Sequence, residues 1–233
     1  RLVKHARRSE RLERLRAMVT VAQTEPGIPV TPARLDADPW LLNGLNGTID
    51  LRTGELRPHK KGDLLTKLAP VNYDPKARSS VWTDFLHRIT RGGTELQAFL
   101  QKLAGASAAG FAWDEIFVLL RGGTATGKST FLEATKATMG EYAVTADVDT
   151  FLRRIQDGPR NDIARLVGAR LVTCSEAPPG RALDERLVKQ LTGGDKMSAR
   201  FLYKEFFEFL PQFTPWMATN HRPTVRDDDD AIW

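Results

Sequence analysis

Apolar and polar positions alternate along this chain in a way that changes character midway. Leu12, Leu15, Val19 and Ala22 fall at helical spacing with charges between them, which predicts one helix from residue 1 to about residue 23. Pro26, Pro29, Pro32 and Pro39 then enforce an extended linker. Turn signals at Asn46-Gly47 and Arg52-Thr53-Gly54 flank Thr48–Leu51 and Glu55–Arg57, a short hairpin. Val81, Trp82, Phe85, Leu86 and Ile89 form one helical stripe, and Leu96, Phe99, Leu100 and Leu103 another. Both read as plain helix packing. From Glu115 the pattern shifts. Ile116 to Leu120 is continuously apolar, as a strand buried on both faces would be, and Arg170–Cys174 and Thr214–Thr219 are two further such runs. Strands alternating with helical stretches predict an α/β core with a parallel sheet. The boundary falls near residues 108 to 114. It divides a smaller, mostly helical region with a short β-hairpin (1–110) from the α/β region (111–233).

Composition narrows the classes. Of 233 residues, 41% are hydrophobic and 27% charged, enough apolar side chain to bury a core. The longest strongly apolar run, Ile116 to Leu120, is far short of the ~20 residues of a membrane span. No apolar segment of signal-peptide type follows the basic N-terminus. The single cysteine, Cys174, has no internal partner, so a reducing, cytoplasmic setting is expected. His5, His59, His87 and His221 are too scattered for a metal-site spacing. The formal charge of +5 resides in the first 16 residues, where a solvated helix face and a DNA contact are both open readings. Beginning at Arg1 and stopping at Trp233 just after Asp227–Asp230, the chain is expected to be a segment of a longer protein.

Gly122-Gly123-Thr124-Ala125-Thr126-Gly127-Lys128-Ser129 fits G-x-x-x-x-G-K-[ST] in full, between a predicted strand and a predicted helix. Glycines let backbone N–H groups turn inward around phosphate oxygens, and a helix starting near Lys128 aims its positive end at the same anion. Lys128 supplies a mobile charge for the β- and γ-phosphates. The Ser129 hydroxyl suits Mg²⁺, and Thr130 follows it. ATP or another nucleoside triphosphate, with Mg²⁺, is the expected ligand.

Transfer of a phosphoryl group to water also needs an acid near the metal and a group that orients the water. The second apolar strand ends in Ser175-Glu176, at the strand edge that faces the phosphate loop in a parallel sheet. Glu176 is the candidate for activating water or for holding the Mg²⁺ shell. The third strand ends in Ala218-Thr219-Asn220, and the Asn220 amide is suited to bond the attacking water or the γ-phosphate. Between them, Gly193-Gly194-Asp195 ends a helical stretch, and a strand, tip and return strand can follow. Lys196, Arg200, Tyr203 and Lys204 put cations and an aromatic near the projecting end, as phosphates and unstacked bases require.

These residues, in this order, resemble the phage- and plasmid-type primase-helicases, which are superfamily 3 helicases related to the poxvirus primase-helicase. The resemblance runs through Asn43–Leu56, Gly122–Thr130, Ser175-Glu176, Lys189–Lys204, Ala218–Pro223 and Ala231-Ile232-Trp233. It implies an AAA+ fold and a self-assembled ring, usually a hexamer, that translocates on single-stranded DNA from 3′ to 5′. It matches Lys128 and Ser129 to the phosphate loop, Glu176 to the acidic second motif, Lys196–Lys204 to a channel hairpin and Asn220 to the third motif. Residues before 110 resemble the helical collar domain. A primase domain, fused or separate, and a bacterial host cytoplasm are further implications. Two features depart from the pattern. Thr126 stands where the family often has Asn, which bears on γ-phosphate contacts and leaves the cradle intact. The family's arginine finger follows Ala-Ile-Trp, so the resemblance implies that this segment binds ATP but hydrolyses it poorly by itself.

Two other classes compete. An ATP-controlled replication-initiator or assembly module would bind DNA without unwinding it. A small-molecule kinase would use the phosphate loop, but explains neither the Gly-Gly-Asp hairpin nor the collar-like segment.

Overall fold

A computed structural model describes residues 2–112, 115–154, 160–176 and 178–225. They divide into two compact units, one within Arg1–Ala37 and Lys61–Thr66, the other within Asp38–Lys60 and Lys67–Trp233. The first holds two helices where periodicity predicts one, α1 (Leu2–Ser9) and α2 (Leu12–Ala22). Arg11 is extended between them (φ −67°, ψ 135°). The Ser9 hydroxyl turns back to the His5 carbonyl at 3.1 Å, and Arg8 and Arg11 would stack like charges one turn apart in a continuous helix. No residue of α2 is buried. In the same unit the Thr66 N–H donates to Asp36 Oδ1 at 2.7 Å and its hydroxyl to Asp36 Oδ2.

The second unit opens with an antiparallel meander, β1 (Leu41–Gly44), β2 (Gly47–Asp50) and β3 (Glu55–Arg57). The predicted hairpin is β2–β3; β1 has no apolar–polar alternation to announce it. Gly47 (φ 152°) is required, because a Cβ there would lie 2.5 Å from the Arg57 carbonyl oxygen. At the β2–β3 turn the Arg52 guanidinium donates to both Asp50 carboxylate oxygens, at 2.9 and 2.7 Å, and holds that carboxyl below its ordinary range. Helices α3 (Ser80–Ile89) and α4 (Thr94–Ala108) follow, with the Ser79 side chain capping α3 through the Trp82 N–H. The α4 stripe is only partly inward: Leu100 and Leu103 are buried, whereas Leu96 and Phe99 face solvent. Phe99 lies about 100° around the helix from Leu100, and Leu96 lies a turn before the buried stretch.

Next come β4 (Val118–Arg121), α5 (Lys128–Met139), β5 (Ala143–Thr145), α6 (Asn161–Ala164), β6 (Leu171–Ser175) and α7 (Glu185–Thr192). The hairpin β7 (Met197–Ala199) and β8 (Phe207–Phe209) precedes β9 (Thr214–Thr219). The sheet runs β4-β9-β6-β5, parallel throughout. The fold is thus α/β with a parallel sheet. The first apolar run corrects its expectation. Strand β4 starts at Val118 rather than Ile116 and is half-buried, because among the described residues it pairs on one side only. The strand that is buried along its whole length is β9. Its Pro215 is tolerated because alternate N–H groups of a parallel strand face opposite neighbours. The Thr214 N–H bonds the Arg170 carbonyl on the β6 side, so position 215 faces β4, whose pairing begins one residue later, at Trp216.

The two sheet faces bury separate clusters. On one, Trp216 and Leu171 meet Phe131, Leu132 and Met139 of α5 and Leu100 and Leu103 of α4. Ring stacking runs from Trp82 through Phe131 to Trp216, with centroids 5.8 and 5.7 Å apart. The Trp216 indole N–H donates to the buried Ser107 hydroxyl at 3.1 Å. On the other face, Val172, Cys174 and Met217 meet Phe151, Ile163, Leu187, Leu191 and Phe213. Burial there pushes the Cys174 thiol up to about 12, so it stays protonated and structural.

Arg170 is only 4% exposed. Its guanidinium donates to the carbonyls of Ala108 (2.9 Å) and Leu41 (2.8 Å) and lies 4.6 Å over the Tyr142 ring. The Tyr142 hydroxyl accepts from the Asn43 N–H (3.1 Å) and donates to the Lys67 carbonyl (3.2 Å). Residues 38–60 and 67–110 therefore pack with the α/β region in one unit. Arg170→Ala strands two carbonyls and should cost at least about 3 kcal/mol of unfolding free energy. Urea unfolding measures this, and a loss below about 1 kcal/mol would contradict the assignment of Arg170 as the joint.

Candidate nucleotide and hairpin site

The strands of a parallel sheet all end at one edge, and here that edge carries the candidate residues. β4 leads into Gly122–Gly127, and α5 starts at Lys128. Ala125 (φ 60°) and Gly127 (φ 88°) are left-handed, and this bends the loop so that successive N–H groups can converge. The Thr126 hydroxyl donates to the Gly123 carbonyl at 2.9 Å. At the other end of the loop the Gly122 N–H donates to the Thr219 carbonyl at 3.3 Å, fastening it to β9. Thr124, Ser129 and Thr130 face solvent at the helix start.

Lys128 is the centre of the site. Its Nζ donates to the carbonyls of Gly122 (2.8 Å) and Gly123 (2.7 Å) and to Asn220 Oδ1 (3.0 Å). The Thr126 hydroxyl lies 3.3 Å from the same Nζ. The structure thus brings Lys128 and Asn220 together across 92 positions of sequence. Glu176 sits one strand further along the edge. Its N–H donates to the Ala218 carbonyl at 2.9 Å, and Ser175 is in register with Ala218. Glu176 is itself left-handed (φ 63°), an unusual conformation for a residue with a side chain. Among the described residues no hydrogen bond or ion pair engages its carboxylate. The donor set fits a polyphosphate with a hard cation: a lysine, a helix start, a serine hydroxyl, an amide and an exposed carboxylate at one edge.

One wall of this site has no signal in local spacing. Helix α3 lies against the loop so closely that a Cβ on Gly127 would meet Ile89 Cγ2 at 2.6 Å and Phe85 Cε2 at 3.2 Å. Beside that contact is a cavity of about 520 Å³, shared by Phe85, Arg88, Ile89 and Arg91 with Gly127 and Thr130. The sequence shows α3 only as a stripe of core residues; its docking on the loop is a tertiary fact.

The second constellation is the hairpin. Met197 pairs with Phe209 and Ala199 with Phe207, leaving Arg200–Phe206 as the projecting tip. Tyr203 is wholly exposed and left-handed (φ 61°), and the Lys204 N–H donates to the Phe201 carbonyl at 3.1 Å. The Arg200 guanidinium lies 4.8 Å over the Phe206 ring, and Phe201 stacks on Phe207 at 5.7 Å. Three of the four hairpin residues singled out from sequence gather at the tip. Lys196 does not: it precedes β7, at the opposite end of that strand from Tyr203. Phe201, Leu202 and Phe206, exposed beside Tyr203, belong to the tip as well. Arg226, Asp227–Asp230 and the Ala231-Ile232-Trp233 motif lie outside the described residues.

The chain is similar to known proteins over most of its length. Residues 1–91 match the family described as D5 N terminal like, and residues 120–231 match a family of unknown function, DUF5906. The chain is 29% identical to "Putative helicase L207/L206" of Acanthamoeba polyphaga mimivirus, over 85% of this chain and 21% of that protein. It is 25% identical to "Putative helicase 022R" of Frog virus 3 (isolate Goorha), over 85% of this chain and 28% of that protein. The chain therefore spans only a quarter or so of these relatives. Among solved structures, two apo structures of the NrS-1 C-terminal region share the fold. One has a TM-score of 0.53 at 11% identity, covering 92% of this chain and 51% of that one; the other has 0.51 at 12%, covering 88% and 48%. Motif order and viral relatives bear out the resemblance to the phage and viral primase-helicases.

Proposed function

We propose that this chain carries the ATP-hydrolysing motor of a DNA helicase of superfamily 3. It would have an AAA+-type core and a collar-like N-terminal region, and assemble as a ring, usually hexameric, that moves 3′ to 5′ on single-stranded DNA. It would serve the replication of a phage, plasmid or integrated element in a bacterial cytoplasm, with a primase fused or separate. No helix among the described residues is long and apolar enough to cross a membrane. The observation that carries the reading is the Lys128 Nζ bond to Asn220 Oδ1 at 3.0 Å, which joins phosphate loop and third-strand amide in one crevice.

In this reading bound ATP with Mg²⁺ supplies the phosphoryl group and the charge that polarises it. Lys128 moves from the loop carbonyls to the β- and γ-phosphate oxygens, and Gly122–Gly127 and Thr130 wrap them with N–H groups. Ser129 would hold Mg²⁺, and Glu176 would take the proton of the attacking water or hold the metal's water shell. Asn220, released by Lys128, bonds the water or the γ-phosphate and so reports hydrolysis to β9. The hairpin tip offers Tyr203 as a stacking face and Arg200 and Lys204 as cations, with Lys196 at the base, a grip on a backbone that reads no sequence. An initiator module that binds DNA without unwinding it would use the same parts, and strand displacement separates the two.

Lys128→Ala should lower ATP turnover at least about 100-fold and weaken nucleotide binding, since the loop has no second cation. Near-normal turnover would refute the motor. Glu176→Gln should keep ATP affinity while losing about 10²- to 10⁴-fold in rate, because an amide cannot accept the water proton. Wild-type turnover in that variant would remove Glu176 from the chemistry. Changing both Tyr203 and Lys204 to Ala should leave ATP affinity intact, cut single-stranded DNA affinity about tenfold or more, and flatten its salt dependence. Titrations at two salt concentrations read this out, and unchanged affinity and slope would make the hairpin structural.

A further inference from the structure

Two guanidinium groups beside the phosphate loop have no part in the scheme above. Arg88 is on the last turn of α3, and Arg91 follows it in a left-handed conformation (φ 53°) that turns the chain into Gly92-Gly93. Both line the cavity of about 520 Å³ that reaches Gly127 and Thr130. Both are exposed, and among the described residues neither side chain is engaged in a hydrogen bond or ion pair. The apolar floor between them and the loop is Phe85 and Ile89, which touch Gly127 directly.

Position decides which part of a ligand this cavity meets. Lys128 and Asn220 mark where the phosphates are held, at the strand edge. Thr130 lies two residues further along α5, about 3 Å down the helix axis, at the inner limit of the phosphate cradle. Neither Lys128 nor Asn220 lines the cavity, so it lies beside the place where the terminal phosphates are held. What remains of a nucleoside triphosphate once its phosphates are in the cradle is a flat base and a sugar with hydroxyls. An aromatic ring, an aliphatic side chain and two guanidinium planes are suited to these: guanidinium stacks on a base face and donates to ring nitrogens and sugar oxygens.

Resting on the phosphate-loop reading, we propose that the C-terminal turn of α3 is the nucleoside wall of the site, with Arg88 and Arg91 binding the base and ribose of the triphosphate whose phosphates Lys128 holds. The contact is made within one chain.

The test compares ATP with inorganic tripolyphosphate, which has the phosphates and no nucleoside. Affinities for both, with Mg²⁺, are measured by calorimetry on the 233-residue chain, on the double variant Arg88→Gln with Arg91→Gln, and on Lys128→Ala. The double variant should lose about tenfold in ATP affinity and stay within twofold for tripolyphosphate. Lys128→Ala should lose both ligands. Unchanged ATP affinity in the double variant overturns the proposal, and so does an equal loss of ATP and tripolyphosphate, which would make the arginines phosphate ligands. If the unaltered chain binds neither ligand, the phosphate-loop reading itself fails, a result distinct from either. A thermal midpoint within about 2 °C of the parent shows that both exposed substitutions leave the fold intact.

Discussion

A guanidinium taken out of water must find acceptors inside the protein, and Arg170 finds them in three different places. Its N–H groups reach the last residue of α4 and the first of β1, and its plane covers the ring of Tyr142. Its own carbonyl starts the β6–β9 ladder through Thr214. One side chain thereby joins the meander, the α4 end and the N-terminal edge of the parallel sheet. With that edge fixed, the strands have a common origin, and the residues at their far ends are held at set distances from one another. The crevice with Lys128, Glu176 and Asn220 depends on a joint made at the opposite edge of the sheet.

The same sheet explains why the three site residues occupy unlike environments. Lys128 is half-buried and tied to loop carbonyls, Asn220 ends the most deeply buried strand, and Glu176 is exposed with an unusual backbone. A cation held by neutral oxygens can move to better acceptors at small cost, whereas a residue at the end of a fully buried strand cannot shift without moving its core. A bonded cation, an amide at the end of a buried strand and an open carboxylate are three environments that strand burial sets.

Much of this was legible in the residues. The phosphate loop names its own geometry, because glycine and lysine at that spacing are needed only where backbone wraps an anion. Thr214–Thr219 has the observed strand bounds, and Ser175-Glu176 and Asn220 fall at strand ends as apolar runs require. The illegible parts are those decided by distant neighbours. Strand β5 is three residues long and has no pattern of its own; β6 supplies its pairing. The break at Arg11 reflects local repulsion and a serine back-bond that apolar spacing does not record. Phe99 reads as core by spacing yet faces solvent, since a stripe gives a direction but not the extent of what it packs on. The α3 wall beside Gly127 was hidden for the same reason: Phe85 and Ile89 satisfy a core pattern whichever element they meet.

The hairpin tip and Asn220 are consecutive parts of one stretch of chain. Strand β8 ends at Phe209 and β9 begins at Thr214, and the short link between them is pinned by Pro211 and Phe213, both buried. Proline fixes one torsion and the buried ring blocks slack, so the link is stiff in the mechanical sense. Tyr203 is therefore joined to the strand that leads into Asn220 by a short covalent path. Such a connection leaves little slack between the tip and the amide.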